Sequence, residues 1–278
     1  MSPQTFIELK NVGYTYPGIA KSKAHDALTN INLKIHTGEK IALLGANGSG
    51  KSTLFLLLNG ILTATSGTIL YQGNELSKKN VGDLRKYTGL VFQDPDSQII
   101  ASTVKEEVSF GPINLGLSKE EVNKRCDLAI EQASVSHLKD RPCHYLSGGE
   151  KKRVTIADIV AMEPGMFLFD EPASSLDPEN SVLLEENLNQ LSKQGKTIFV
   201  ATHDMDFAYR FADRILILKK GQLIYDGDAQ NAFANEARIH DAGLVIPALY
   251  QMQQILKDKG ILPGNASITQ VDELKQFI

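Results

Sequence analysis

The segment Gly45-Ala46-Asn47-Gly48-Ser49-Gly50-Lys51-Ser52 follows directly on the apolar run Ile41–Leu44. No other stretch restricts the fold of this chain as much. A strand that ends in Gly-x-x-x-x-Gly-Lys-Ser and continues as a helix forms a phosphate-binding loop. The glycines let successive backbone N–H groups point inward around an anion, and the helix start adds its positive end. In such a loop Lys51 brings a point charge to the outer phosphates, and the Ser52 hydroxyl is a ligand for Mg²⁺. Gly45, Asn47, Gly48, Ser49, Gly50, Lys51, Ser52 and Thr53 are therefore the candidate nucleotide contacts.

The rest of the chain agrees with a strand–helix alternation. Short apolar runs at Phe6–Val12, Ile31–Ile35, Lys40–Leu44, Leu90–Phe92, Met166–Phe169, Thr197–Ala201 and Ile215–Leu218 read as strands. Helices are expected after Lys51, over Lys119–Ala133 and from Ser147 to about Met162. Alternation of this kind gives parallel pairing and an α/β class, here with a β-rich N-terminal edge. Charged, helical sequence from about residue 96 to 162 interrupts the alternation and should form an inserted helical lobe. Lys219-Lys220-Gly221-Gln222 between two β-rich runs reads as a hairpin. Strand signals stop near Glu236, which divides the chain into a main domain, 1–235, and a short C-terminal helical extension, 236–278.

Met166-Phe167-Leu168-Phe169-Asp170-Glu171 is an apolar strand that ends in two acids. A buried strand has no structural use for adjacent carboxylates at its tip, because a buried charge is costly unless paired. Beside a phosphate loop, Asp170 has a partner in the Mg²⁺ of a nucleotide. Glu171 is then placed to accept a proton from an attacking water.

Composition excludes several alternatives. A net charge of −4 argues against nucleic acid as a partner, which calls for a basic face. The longest apolar stretch, Leu54–Leu62, is broken by Asn59 and Gly60 and is too short to span a bilayer. The N-terminus lacks the basic-then-apolar pattern of a secretory signal. Cys126 and Cys143 form neither a CxxC site nor a disulfide framework, which points to a reduced compartment. The six histidines are scattered, so a metal cargo would not be bound by this chain.

Leu146-Ser147-Gly148-Gly149-Glu150-Lys151 narrows the reading further. Ser-Gly-Gly opening a helix is a second anion-binding helix start in a chain that already has one. The segment resembles the signature of ABC ATPases, and residues 6 to about 235 resemble that family throughout. The resemblance implies a P-loop ABC ATPase core that hydrolyses ATP with Mg²⁺ and works as a head-to-tail dimer. Ser147, Gly148 and Gly149 of one subunit would then close over ATP held by the other. It also implies that Gln93 is the glutamine that reaches the Mg²⁺ and γ-phosphate, that Ser175-Leu176-Asp177 lies at the dimer contact, and that His203 is the switch histidine. Tyr16 resembles the aromatic that stacks on adenine, with Tyr14 two residues away as the alternative.

Glu150 stands where the broad family usually has Gln, and a carboxylate facing the phosphates would be repelled, so it is expected to point away. Leu-Ser-Gly-Gly-Glu-Lys-Lys-Arg resembles a narrower branch, the energy-coupling-factor transporters. So do Phe92-Gln-Asp-Pro-Asp-Ser-Gln98, Thr103-Val104, Phe110-Gly-Pro112 and Ala161-Met-Glu-Pro164, which are closest to the cobalt-type members. That resemblance implies a second ATPase subunit, identical or related, a membrane coupling protein and a substrate-binding membrane subunit. It also places the chain peripherally on the cytoplasmic face of the cell membrane, with a micronutrient as cargo. Rival readings are the ATPase of a conventional ABC importer and an ABC ATPase outside transport. Chromosome-type members need a coiled coil of hundreds of residues where this chain has 95 between Lys51 and Ser147, and ribosome-acting members carry two cassettes.

Two surface expectations complete the reading. Val245, Leu249, Met252 and Leu256 recur at 4-3-4 spacing after Pro247, which is expected in a first helical turn. This stripe is expected to make the 236–278 extension the dimerisation region, as the family resemblance implies; the alternative is packing on its own domain. Asp94, Asp96, Glu106 and Glu107 flank Ile99, Ile100, Val104 and Val108, a pattern that fits a groove for an Arg-bearing helix of a membrane partner. The alternative is a solvated helix face.

Overall fold

The computed structural model describes residues 5–18, 23–174 and 176–277. Its strands are β1 (Thr5–Tyr16), β2 (His25–His36), β3 (Lys40–Leu44), β4 (Ser66–Tyr71), β5 (Asn74–Glu75), β6 (Thr88–Val91), β7 (Met166–Asp170), β8 (Thr197–Ala201), β9 (Arg214–Lys219) and β10 (Gln222–Asp228). The helices are α1 (Lys51–Leu58), α2 (Val81–Tyr87), α3 (Val104–Asn114), α4 (Lys119–Gln132), α5 (Gly148–Ala161), α6 (Pro178–Lys193), α7 (Met205–Phe211), α8 (Ala229–Ala232), α9 (Glu236–Asp241) and α10 (Ala248–Asp258). The fold is α/β, as the alternation predicts.

One sheet has the order β10-β9-β3-β8-β7-β6, parallel from β9 to β6 with β10 added antiparallel. Side chains alternate across a strand, so each parallel strand feeds two cores. Ile41, Leu43, Met166, Leu168 and Phe199 face α1 and the antiparallel sheet β2-β1-β4-β5. Ala42, Leu44, Phe167, Phe169, Ile198 and Val200 face α6, α7 and the C-terminal helices. Burial on both faces explains why these strands read as unbroken apolar runs.

The N-terminal edge is larger than its sequence signal. β1 and β2 each run for 12 residues, and bulges between Leu9 and Val12 and between Val12 and Tyr14 disturb their alternation. The Lys219–Gln222 hairpin closes through Lys220 at φ 48° and Gly221 at φ 78°, the two left-handed residues a tight hairpin turn requires. A Cβ on Gly221 would lie 2.6 Å from the Ala27 carbonyl. Its N–H donates to Ser49 O at 2.9 Å, so the turn supports the phosphate loop.

Helices α3, α4 and α5 enclose a separate core that includes Val104, Val108, Cys126, Ile130 and Val154. Here the acidic-groove expectation changes. Val104 and Val108 are fully buried, and Glu107 is 2% exposed. The Glu107 carboxylate accepts from the N–H groups of Ile100 (2.9 Å) and Ala101 (2.7 Å), which fixes the loop before α3. Glu106 forms a capping box with Thr103, Asp94 caps the turn Pro95–Ser97, and Asp96 pairs with Lys151 at 2.6 Å. Glu107 is thus taken up by local backbone, and Ile100, Phe110 and Ile113 face solvent alongside the exposed Asp94, Asp96 and Glu106.

The C-terminal stripe also divides. Pro247 is the N-cap of α10 rather than a residue of its first turn, and Val245 precedes the helix. Leu249 is buried in the same core as Tyr209 and Phe233, with Leu256 packed against it. Met252, Ile255 and Val245 are exposed. An apolar helix face broader than one contact seam serves two neighbours, and here the first is the chain's own core. Pro247 offers no side-chain cap, so the Ala248 N–H donates instead to Asp206 on α7 at 2.8 Å.

Candidate nucleotide site

Four adjacent strands of the parallel sheet, β3, β8, β7 and β6, end on the same side. Their C-terminal ends carry the 45–52 loop, His203, Asp170-Glu171 and Gln93 in that order. Ligands of open α/β sheets sit beyond such strand ends. A cleft of about 350 Å³ there is lined by Tyr16, Asn47 to Thr53, Gln93, Asp170 and Glu171. A neighbouring cleft of about 420 Å³ carries Gly45, His203 and again Gln93 and Glu171.

The loop has the backbone that an anion cradle needs. Gly48 has φ 76° and Gly50, the N-cap of α1, has φ 109°, a region L side chains disfavour. No side chain caps α1, so its first N–H groups stay available. The Ser49 hydroxyl is buried with no hydrogen-bond partner among the described residues. Lys51 is 7% exposed and folds back onto the loop, donating to Gly45 O at 2.7 Å. Its ammonium also lies 3.9 Å from Glu171 Oε1.

Asp170 and Glu171 are each 5% exposed. Burial pushes the Asp170 carboxyl above the usual carboxylate range, opposed by a hydrogen bond from Ser52 and by the charges of Lys51 and Lys152. Glu171 sits at φ 48°, an outlier of the kind that holds side chains at working positions. Its backbone N–H still pairs with Ala201 O at 2.9 Å. The Glu171 carboxylate meets the His203 ring nitrogen Nδ1 at 2.8 Å.

Tyr16 stands at the cleft mouth, its hydroxyl 3.3 Å from Thr53 Oγ1, while Tyr14 packs edge-on against it and onto the core. Ser147, Gly148, Gly149 and Asp177 do not line the cleft. Ser147 and Asp177 are the N-caps of α5 and α6. Ser175 lies outside the described residues. Glu150 turns back from the helix start: its carboxylate accepts from Ser147 N at 2.7 Å, which also holds it below the usual carboxylate range.

Two contributors escaped the sequence reading. His25 pairs with Tyr16 across β1 and β2 and lines the cleft; only knowing that β2 begins there could have found it. Lys152 has 0% exposure and donates to the carbonyls of Phe92 (2.8 Å) and Gln93 (2.7 Å). Burial pulls its ammonium down to about 8 against the opposing charges of Asp170, Asp94 and Glu171. Within Glu150-Lys151-Lys152-Arg153 it reads as one more surface cation.

Comparison with known proteins gives the chain its relatives. The ABC transporter family matches residues 28–174. An energy-coupling factor transporter ATP-binding protein of Methanospirillum hungatei is 43% identical over 98% of this chain and 68% of its own length. One of Methanocaldococcus jannaschii is 42% identical over 92% of this chain and 91% of its own. The structure of cbiO1 from Clostridium perfringens, described as part of the transporter complex cbiONQ, is 38% identical with a TM-score of 0.73. It covers 90% of this chain and 99% of its own. A dimeric ATP-binding cassette in a post-hydrolysis state with ADP and phosphate is 31% identical at TM-score 0.73, covering 80% of this chain and 98% of its own. The chain belongs to the ABC transporter family, in its branch of energy-coupling factor ATP-binding proteins.

Proposed function

We propose that this chain hydrolyses ATP to ADP and phosphate as the motor subunit of an energy-coupling-factor importer. The observation that carries the reading is the convergence of Lys51, Gln93, Asp170, Glu171 and His203 on one group of strand ends. The backbone N–H groups of residues 47–53 hold the phosphates, Lys51 pairs with the outer ones, and Tyr16 stacks on the adenine. Glu171 takes the proton of the attacking water. His203 orients Glu171 through the Nδ1 contact and reaches the γ-phosphate.

A Mg²⁺ ion fits the residues present. Asp170 is a buried carboxylate met by the Ser52 hydroxyl, and Ser52, Asp170 and Gln93 would hold the ion together with phosphate oxygens. When bound, it neutralises charge on the transferred phosphoryl group.

Ser147, Gly148, Gly149 and Asp177 lie outside their own cleft, which supports action across a dimer, on ATP held by a second ATPase subunit. The dimeric cassette is a precedent for that arrangement. The main domain, 1–235, carries both half-sites, and the exposed face of the 236–278 extension adds a contact between the two subunits. Ile100, Phe110 and Ile113 form the apolar face for a membrane coupling protein, which carries the substrate-binding subunit; the similar chain cbiO1 is described as part of a transporter complex, cbiONQ. No helix among the described residues is long and apolar enough to cross a membrane. From its likeness to energy-coupling factor ATP-binding proteins we assign the chain a peripheral place on the cytoplasmic face, serving a micronutrient such as cobalt, another transition metal or a vitamin. Co-purification from native membranes, followed by identification of the partners, tests the assignment. A chain recovered with a periplasmic-binding-protein importer, or with no membrane protein, would overturn it.

A further inference from the structure

We propose that Lys152 is a positioning residue that ties Gln93 in this chain's own nucleotide cleft to the helix start that serves the partner's nucleotide. The inference rests on the ATPase reading above and names a residue that reading does not use. β6 pairs with β7 only as far as Val91↔Phe169. Phe92 and Gln93 are thus the first residues whose carbonyls have lost strand partners. Both carbonyls accept from the Lys152 ammonium, at 2.8 and 2.7 Å. A lysine with no exposed surface is retained only when its charge is satisfied, and the carbonyls of Phe92 and Gln93 accept from two of its three N–H groups.

Lys152 lies one helical turn after Gly148, so the two share a face of α5. A shift of Gln93 toward or away from a bound γ-phosphate therefore pulls on the first turn of α5 through two short, part-buried, charge-assisted bonds. Neighbouring contacts run the same way but carry less. Lys151–Asp96 is an ion pair with an exposed carboxylate, worth little, and the Gln98 amide reaches Thr155 O only at 3.4 Å. Lys152 is the stiff link between the two half-sites.

The test compares the wild-type full chain with Lys152→Met, which removes both donors, and Lys152→Gln, which keeps a shorter pair of N–H groups. Steady-state hydrolysis against ATP concentration gives kcat and the Hill coefficient, and a fluorescent ATP analogue gives affinity. For Lys152→Met we expect kcat to fall about 10- to 100-fold, the usual cost of slight misplacement in a site. The Hill coefficient should drop toward one and nucleotide affinity stay within about threefold, with Lys152→Gln intermediate. A kcat within threefold of wild type in Lys152→Met overturns the proposal, as does a loss of affinity equal to the loss of kcat. If Lys152→Met does not fold, wild-type kcat and cooperativity in Lys152→Gln overturn it, and a selective kcat loss there supports it. The wild-type chain is the control for the underlying reading: ATP bound but not hydrolysed by wild type sinks the ATPase reading itself, whereas a Lys152 failure leaves that reading standing.

Discussion

The Nδ1 atom of His203 lies 2.8 Å from Oε2 of Glu171, and the His203 backbone N–H points at the same oxygen from 3.4 Å. One carboxylate oxygen is thus held from β8, while the other lies near Lys51. Replacing Glu171 with Gln keeps the shape and removes the base. Turnover should fall about 10²–10⁴-fold, the worth of general-base catalysis, with ATP binding preserved. Single-turnover hydrolysis beside equilibrium nucleotide binding checks this, and near-normal turnover would remove Glu171 from its role.

Lys51→Ala acts on a different step. The ammonium now rests on the loop carbonyl Gly45 O and is free to exchange that contact for phosphate. Losing a charge-assisted bond should weaken ATP binding about 10- to 100-fold. Titration with a fluorescent nucleotide measures it; unchanged affinity would argue against the phosphate contact.

The features legible in the sequence were those set by nearby residues. The phosphate loop, the Asp170-Glu171 strand tip and the Lys220-Gly221 turn are each fixed within a few positions. Lys152, Glu107 and Leu249 were not legible, because distant chain decides their surroundings. Lys152 is buried by Phe92 and Gln93, 60 and 59 positions away. Glu106 and Glu107 look alike in sequence, but only Glu107 faces the loop at Ile100 and Ala101. The 4-3-4 stripe on α10 marks an apolar face without saying which neighbour takes which edge.

The extension cannot be removed cleanly. Ile239, Leu244, Leu249, Leu262, Ile268 and Leu274 belong to the main core. At about 1.5–3 kcal/mol each, their loss approaches or exceeds the whole net stability of about 5–15 kcal/mol expected of a domain. Deleting residues 236–278 should therefore give an unstable or aggregating protein rather than a folded monomer. Met252→Asp with Ile255→Asp touches only exposed positions and should yield a folded, ATP-binding monomer without nucleotide. Light scattering that finds this variant as dimeric as the parent would place the subunit contact elsewhere.

Asp158 offers a pH test of the lobe. Burial, with a contribution from Glu107, raises its carboxyl from 3.8 to about 7, against a hydrogen bond from Gln98. The folded state then binds the proton more tightly than the unfolded one, so stability contributed at this site is full below about pH 4 and is lost as pH rises to about 7. Asp158→Asn keeps an acceptor for Gln98 and abolishes the titration. The variant should gain stability over wild type at pH 7.5, by at most about 4 kcal/mol, and lose that advantage near pH 4. Urea unfolding at the two pH values measures it; an equal difference at both would rule out this titration.

The route by which force leaves the subunit follows from the exposed apolar patch before and along α3. Ile100 is 68% exposed, Ile113 59% and Phe110 49%, whereas Glu107 beneath them is spent on the Ile100 and Ala101 N–H groups. Charge reversal at Glu107 would leave two N–H groups unpaired and bury a lysine beside them, costing roughly 3 kcal/mol or more. Glu107→Lys should therefore unfold the lobe and says nothing about partners. Ile100→Asp with Phe110→Asp changes only the outer surface and should leave folding and ATP affinity intact. Such a protein should fail to assemble with its membrane partners, and because the lost contact is apolar, raising the salt should not weaken wild-type assembly much. Two measurements decide it: pull-down of the membrane subunits at low and high salt, and ATP binding by the same preparation. Normal assembly by the double variant would move the docking face away from α3, and salt-sensitive wild-type assembly would return the weight to ion pairs at Asp94, Asp96 or Glu106.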